Sequence, residues 1–308
     1  MFSFITEPNY PKAAVGLEKE RVTVLSLQKD GRAFAVRNAA SVQLPASLLQ
    51  PSFQDSNVSS RQGLASVLTE AAGLAGLLGQ KSWSVALPSV SARTAILTLE
   101  SENRGEIDQV LEWKAEQSFG APAAALRITK YRLAGEQDGK IRYVATAVKL
   151  SVIDEYESVF EDLGWKAGLI LSRPVCESNW LVRNGQGPDS LLLSSQDDGF
   201  TAVLFGDGQP SVIRSVTCSE SEKDDEIYRL LLFYHDRFAA TRGARQLDRM
   251  LLIGADLKPA AIGNIANEAL GRPIAILQPD DVGLRFPDGS IRFDEIAAPA
   301  GLAAFGCR

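Results

Sequence analysis

The chain has 308 residues, 45% of them hydrophobic and 23% charged, the balance of a soluble globular protein long enough for about two domains. A net charge of −6 leaves no basic field to condense on nucleic acid or anionic lipid, so nucleic-acid binding is not expected. No apolar run approaches the ~18–20 residues that span a bilayer, and "MFSFITEPNYPK" lacks a signal-peptide core, which predicts a cytoplasmic protein without direct membrane insertion.

The first segment, "AAVGLEKERVTVLSL" (Ala13 to Leu27), reads as two strands joined by a tight, highly charged turn, and "QKDGR" adds a hairpin turn at Asp30-Gly31 before a third β-rich segment that reaches Leu44. A helix is predicted from about Ser60 to Leu78, with Ser59 or Ser60 as N-cap and Leu64, Val67, Leu68, Ala71, Leu74 and Leu78 on its apolar face. "SWSVALPS" is a buried strand, and strand, helix, strand gives α/β character. "TAILTLES" leads into a helix carrying Ile107, Val110 and Leu111, and "ALRITKYRL" and "KIRYVATAVKL" alternate as hairpin strands. This helix and hairpin, residues 100–149, read as a small inserted subdomain between residues 1–99 and 150–184 of a first lobe. "SVIDEYESVFEDLGW" is an amphipathic helix ending at Gly164, with the strand "KAGLILS" after it and a linker at "NGQGPD".

The pattern then restarts in a second lobe, residues 185–308. A shift of 177 places Asp30-Gly31 on Asp207-Gly208, Val36 on Ile213 and Arg37 on Arg214, so that strand, DG turn and strand repeat with the same spacing to an arginine. A helix with Asp224 and Asp225 at its start follows, where acids suit the helix dipole. The strand "RMLLIGAD", the helix "PAAIGNIANEALG", the strand "PIAIL" and an Ala-rich C-terminal segment complete the half.

Few residues carry reactive chemistry. Cys176, Cys218 and Cys307 are odd in number and form no CxxC pattern, which fits buried thiols in a reducing compartment. His235 is the single histidine, so zinc, triad or Cys-His chemistry would all rest on it, and a packed or helix-surface role is expected instead. Glu100, Glu102, Glu106 and Asp108 read as a solvated strand end and helix start, and "SESEKDDE" (Ser219 to Glu226) as an exposed acidic connection. Trp83, Trp113, Trp165 and Trp180 each fall in an apolar pattern, for which core packing is the default.

Two duplicated α/β halves, each opening with a hairpin, describe the actin and Hsp70 type of ATPase fold, in which the hairpin turns clamp nucleotide phosphates. Within it, "EIDQVLEWKAEQSFGAPAAALRITKYRL", "VATAVKLSVIDEYESVFEDLGWKAGLI", "MLLIGADLKPAAIGNIANEALGRPIAIL" and "PAGLAAFGCR" resemble, in order, segments of the PilM family of type IV pilus assembly. That family is akin to FtsA and to the cytoplasmic domain of GspL. The resemblance implies actin-like (ribonuclease H-like) duplicated α/β domains with a small inserted α+β subdomain. It also implies a cytoplasmic scaffold, peripheral to the inner membrane, that captures the short cytoplasmic tail of a PilN-like inner-membrane protein. The partner groove it suggests lies near Ile96, Leu97, Ala145 and Val148, for which the alternative reading is core strand residues.

The phosphate motifs depart from this pattern. Where the family's first turn has an aspartate, a glycine and small residues, this chain has Gly16, Glu18 and Lys19-Glu20-Arg21. Small residues let backbone N–H groups approach an anion, whereas a carboxylate ~4 Å from a phosphate costs about 4 kcal/mol at an effective dielectric of ~20. In the second turn Ser194 or Ser195 replaces the family's aspartate, with Asp197 and Asp198 beside it, and Gly254-Ala255 stands for a glycine pair at the adenosine. The tens of residues that form one cleft lobe in the family are missing between the second hairpin and the helix "DDEIYRLLLFYH". The expectation is a pseudo-ATPase without cofactor or metal, with Glu18, Glu20, Asp197, Asp198, Gly254 and Ala255 as vestigial positions. The alternatives are an active ATPase or sugar kinase using Asp197 or Asp198 for Mg²⁺, and a filament-forming actin relative.

Overall fold

A computed structural model describes residues 9–100, 107–135, 139–182, 189–236, 246–287 and 291–307. The first half contains β1 (Ala13–Glu18), β2 (Arg21–Asp30), β3 (Ala33–Gln43), α1 (Arg61–Leu74), β4 (Ser82–Leu87) and β5 (Arg93–Glu100). It continues with α2 (Ile107–Phe119), β6 (Leu126–Arg132), β7 (Lys140–Lys149), α3 (Leu150–Asp162), β8 (Lys166–Ser172) and α4 (Arg173–Val182). The second half contains β9 (Asp189–Gln196), β10 (Gly199–Gly206), β11 (Gln209–Thr217), α5 (Lys223–Tyr234) and β12 (Leu247–Ile253). It ends with α6 (Pro259–Leu270), β13 (Ala275–Leu277), β14 (Leu284–Arg285) and α7 (Phe293–Ala303). Most of "NGQGPD", from Asn184 to Pro188, lies outside the described residues, as do Glu102 and Glu106.

The internal repeat is visible in the sheets. The first has the order β14-β3-β2-β1-β4-β8 and the second β11-β10-β9-β12-β13, so a meander followed by two parallel strands occurs twice. Shifted by 177, β1 falls on β9, β2 on β10 and β3 on β11. The two DG pairs, however, sit one position apart in their turns. Asp207 and Gly208 are the two central residues, both with positive φ as in a type I′ turn, whereas Gly31 and Arg32 are central in the first hairpin. Each hairpin also carries a bulge in its outer strand, at Arg37 opposite Ser26/Leu27 and at Ser211 opposite Leu204/Phe205.

Packing explains why β1 reads "AAVGL". It lies mid-sheet and is buried on both faces, with Ala13, Val15 and Leu17 meeting α1 and α3, and Ala14 meeting α7 and the second lobe. A Cβ on Gly16 would stand 3.0 Å from Pro299 Cδ. The resulting layers are α1 and α3, the first sheet, α4 with α7, the second sheet, and α5 with α6. The two central helices cross closely: Trp180 Nε1 donates to Ala297 O (2.8 Å), Asn179 Nδ2 donates to Gly301 O (2.8 Å), and a Cβ on Gly301 would lie 2.2 Å from Cys176 O. The "AGLA" of α7 is therefore a helix-crossing element in which only glycine fits. As expected, Ser60 caps α1, its hydroxyl accepting from Gly63 N.

Several expectations need correction. Helix α4 escapes the sequence reading because its buried side carries Glu177 and Asn179 among the apolar residues, which breaks the apolar stripe. The inserted subdomain starts at Arg93, since β5 joins the three-stranded sheet β5-β7-β6 under α2. Leu284–Arg285, placed by the sequence in the second lobe, adds a strand to the first sheet beside Phe34 and Ala35. Trp83, Trp165 and Trp180 are core residues, but Trp113 is 58% exposed on the outer side of α2. His235 is exposed at the end of α5. Residues 218–222 alone connect β11 to α5, with Ser219 and Glu222 forming a capping box.

Candidate functional site

Both hairpin turns of the repeat open onto one cavity of ≈ 850 Å³ between the lobes. All six positions singled out in the sequence line it: Glu18 and Glu20 at the β1–β2 turn, Asp197 and Asp198 at the β9–β10 turn, and Gly254 and Ala255 after β12. The volume is in the range of ligand pockets, about 300–1,000 Å³, so size is not the obstacle to a nucleotide. Among the described residues no group of three or more His, Cys, Asp or Glu side chains could hold a metal ion.

What fills the cavity walls is internal charge pairing. On the first-lobe side, Glu18 does not project bare into the cleft as the sequence suggested. Its Oε1 lies 3.0 Å from an Arg173 guanidinium nitrogen, and Arg173 Nε also donates to Glu177 Oε1 at 2.7 Å. A further guanidinium nitrogen donates to Asp294 O at 3.3 Å, tying the start of α4 to the start of α7. Arg21, at the far side of the same turn, pairs with Glu295 of α7 (2.8 Å), and Arg292 pairs with Asp294 (3.0 Å). "EKER" is thus fastened at both ends to helices that lie beneath the cleft. Glu20 and Lys19 are exposed between these anchors.

Glu177 is fully buried, and burial pushes its carboxyl above the usual range although Arg173 counteracts this. For Arg173 the balance is the reverse: burial lowers its pKa, but Glu177 and Glu18 outweigh it and raise the guanidinium's value. Glu177 Oε2 and the Ser194 hydroxyl are both buried, and the hydroxyl joins Arg173 in favouring the charged carboxylate.

On the second-lobe side, Lys223 at the start of α5 donates from Nζ to Asp256 Oδ2 (2.5 Å) and to Ser195 Oγ (3.1 Å), while Ser195 Oγ donates to Asp256 Oδ2 (2.8 Å). Burial works to raise the Asp256 carboxyl, yet these bonds outweigh it and hold the group below its usual range. The ammonium therefore sits against Ser195, one of the two serines that end β9 before the second turn. Gly254, with φ 148°, lies so close to this cluster that a Cβ would be 2.3 Å from Ser195 Cβ. Its glycine character is required by packing onto Ser195, and Ala255 follows on the cleft lining. Asp197 and Asp198 are exposed and have no ion pair among the described residues.

The four groove residues do not share a surface. Leu97 and Ala145 lie beneath α2, and Val148 packs into the core with α3. Strand alternation is the reason, since neighbours in sequence point to opposite faces. Ile96 is on the other face, directly across from Val144, which in turn lies across from Tyr131. This row is half-buried at Ile96 and Val144 and 66% exposed at Tyr131.

No family model matches the chain, and no curated protein matches it. Solved structures do. A chain of a PilM-PilN type IV pilus biogenesis complex superposes with a TM-score of 0.77 over 98% of this chain and 100% of that one, at 14% identity. A protein from Bacteroides thetaiotaomicron VPI-5482 with an actin-like ATPase fold and unknown function superposes with a TM-score of 0.50 over 96% of this chain and 98% of that one, at 13% identity. The fold is actin-like. The cavity is then the inter-lobe cleft of an actin-like fold, bounded by the β1–β2 and β9–β10 turns of the two meanders.

Lys223, Asp256, Arg173 and Glu177 escaped sequence reasoning. One signal was present for the first: Lys223 is the only base within the acidic run "SESEKDDE". Nothing local marks Arg173 as the partner of Glu18, 155 positions earlier in the chain.

Proposed function

We propose that this chain is a PilM-type scaffold and pseudo-ATPase of a type IV pilus or related secretion machine, located at the cytoplasmic side of the inner membrane through a PilN-like partner. The observation that carries the reading is the pairing within the cleft. Arg21, Arg173, Lys223 and Arg292 are each engaged by carboxylates of the chain itself. A triphosphate would have to displace these partners, and the carboxylates of Glu20, Asp197 and Asp198 would repel it. The likeness in fold to a chain of a PilM–PilN complex supports the choice of partner class.

In this reading the short cytoplasmic tail of the partner lies as an extended segment on the open face of the subdomain sheet. The row Ile96, Val144 and Tyr131 receives apolar side chains of the segment. Binding needs no nucleotide.

Isothermal titration tests both parts. Millimolar Mg·ATP is expected to give no heat and no thermal stabilisation. A synthetic peptide of the PilN-like tail is expected to bind, with affinity falling at least tenfold in Val144→Arg. Micromolar ATP binding, with turnover abolished by Asp197→Asn, would overturn the pseudo-ATPase reading. A peptide that binds Val144→Arg as well as the parent would overturn the location.

A further inference from the structure

Beside the row Ile96, Val144 and Tyr131, the same face of the subdomain sheet carries three cations among the described residues. Ladder register places them on the side away from α2: Arg127 opposite Val148, Lys140 opposite Glu100, and Arg142 opposite Thr98. Two of them are answered within the chain, since Arg127 pairs with Glu157 of α3 (2.5 Å) and Lys140 with Glu100 (3.2 Å). Arg142 has no such partner among the described residues, although it is half-buried and its Nε is shut off from solvent. A donor held out of water without an acceptor forgoes hydration and gains no bond in return. Such groups are few in folded proteins and point to an acceptor that the chain itself does not supply.

The position is a firm one. β7 is the middle strand of its sheet, so Arg142 pairs with Thr98 on one side, and on the other its carbonyl accepts from Leu133 N (2.9 Å). Leu133 is buried, and the next residue donates from Ala134 N to Gln209 Oε1 (2.6 Å) at the start of β11. Arg142 therefore stands where the sheet face meets the second lobe. It is two residues from Val144 on the same side of β7, a separation of about 6.5 Å between backbones.

We propose, on the reading that this row receives a partner segment, that Arg142 is a specificity-determining residue of the face and that its guanidinium pairs with an aspartate or glutamate of that segment. Charge selects the class. A basic segment would meet an unanswered cation, because Glu100 and Glu157 are already engaged, whereas an acidic one supplies the acceptor that Arg142 lacks. Geometry favours a carboxylate over a neutral acceptor, since Nε and a terminal nitrogen of a guanidinium present two parallel donors that match its two oxygens. The separation of about 6.5 Å sets the spacing: the acid lies within two residues of the apolar side chain seated on Val144.

The test is calorimetric titration of the full chain with the synthetic tail peptide and with versions of it in which each acidic residue is changed in turn to its amide. One amide version is expected to bind the parent protein at least tenfold more weakly. Arg142→Met should weaken the unaltered peptide by a similar factor and bind both peptides equally, so that the two losses do not add. Arg142→Lys, which keeps the charge without the planar fork, should fall between parent and Met. The melting temperature of Arg142→Met is expected not to fall, because the substitution removes no polar contact within the chain. A tail that binds on the row without an acidic residue, additive losses, or a lowered melting temperature would overturn the role of Arg142. So would full binding by Arg142→Met when Val144→Arg has lost it, with the location intact. No binding at all, or equal binding by Val144→Arg, would overturn the location and the role together.

Discussion

Replacing Arg173 with Met should reveal how strongly the floor of the cleft depends on one guanidinium. The substitution removes contacts of 2.7 Å to Glu177, 3.0 Å to Glu18 and 3.3 Å to Asp294 O. Glu18 is 30% exposed and can recover water, but Glu177 is fully buried and is left with only the Ser194 hydroxyl nearby. Breaking a buried pair from one side costs about 3–5 kcal/mol, most of it here from Glu177. Urea unfolding followed by tryptophan fluorescence is a suitable assay, because Trp180 lies on the same helix. The loss should depend on pH. Burial raises the Glu177 carboxyl even with Arg173 present, and removing the arginine raises it further. The folded variant then holds a proton that the unfolded chain releases above its ordinary value of about 4.3. Stability of the variant therefore falls as pH rises from that value through the folded pKa, and recovers on acidification. A double variant, Arg173→Met with Glu177→Leu, should regain most of the loss, since apolar replacements of buried ion pairs are often neutral or better. A loss under ~1 kcal/mol, a loss independent of pH, or no recovery in the double variant would refute this account.

Three further outcomes are expected. Asp256→Asn should cost about 1 kcal/mol at neutral pH, a modest figure because the aspartate is 28% exposed. Since the Asp256 carboxyl is held low, that contribution is present above the unfolded value and vanishes as pH falls through the folded one, which acid unfolding of both proteins would show. Gly254→Ala combines φ 148° with a Cβ 2.3 Å from Ser195 Cβ and should cost about 3 kcal/mol or more in thermal or urea unfolding. Asn57→Ala removes an oxygen that accepts from Ser91 Oγ (2.6 Å) and Tyr156 Oη (2.9 Å), leaving buried hydroxyls unpaired, with an expected loss of about 2–3 kcal/mol by the same assay.

Local chemistry was sufficient for most elements of this chain. The alternation in "RVTVLSL", the Ser60 cap and the stripe of Leu64, Leu68 and Ala71 specify strand and helix from near neighbours, and the DG pairs 177 apart disclosed the duplication. The resemblance to a family pattern pointed to Glu18, Glu20, Asp197, Asp198, Gly254 and Ala255, and all six line one cavity. Faces and partners were not legible. Whether Leu97 or Ile96 looks outward depends on which side of β5 receives α2, and Trp113 is exposed for the same reason. Sequence by itself determined an α/β repeat, its two meander turns and the absence of the small residues that a phosphate loop needs. Only the tertiary structure decided what those turns became, because Glu18 meets Arg173, and Ser195 meets Lys223 and Asp256, across long stretches of chain. Ion pairs are set by distance in space, and no spacing in the sequence encodes it.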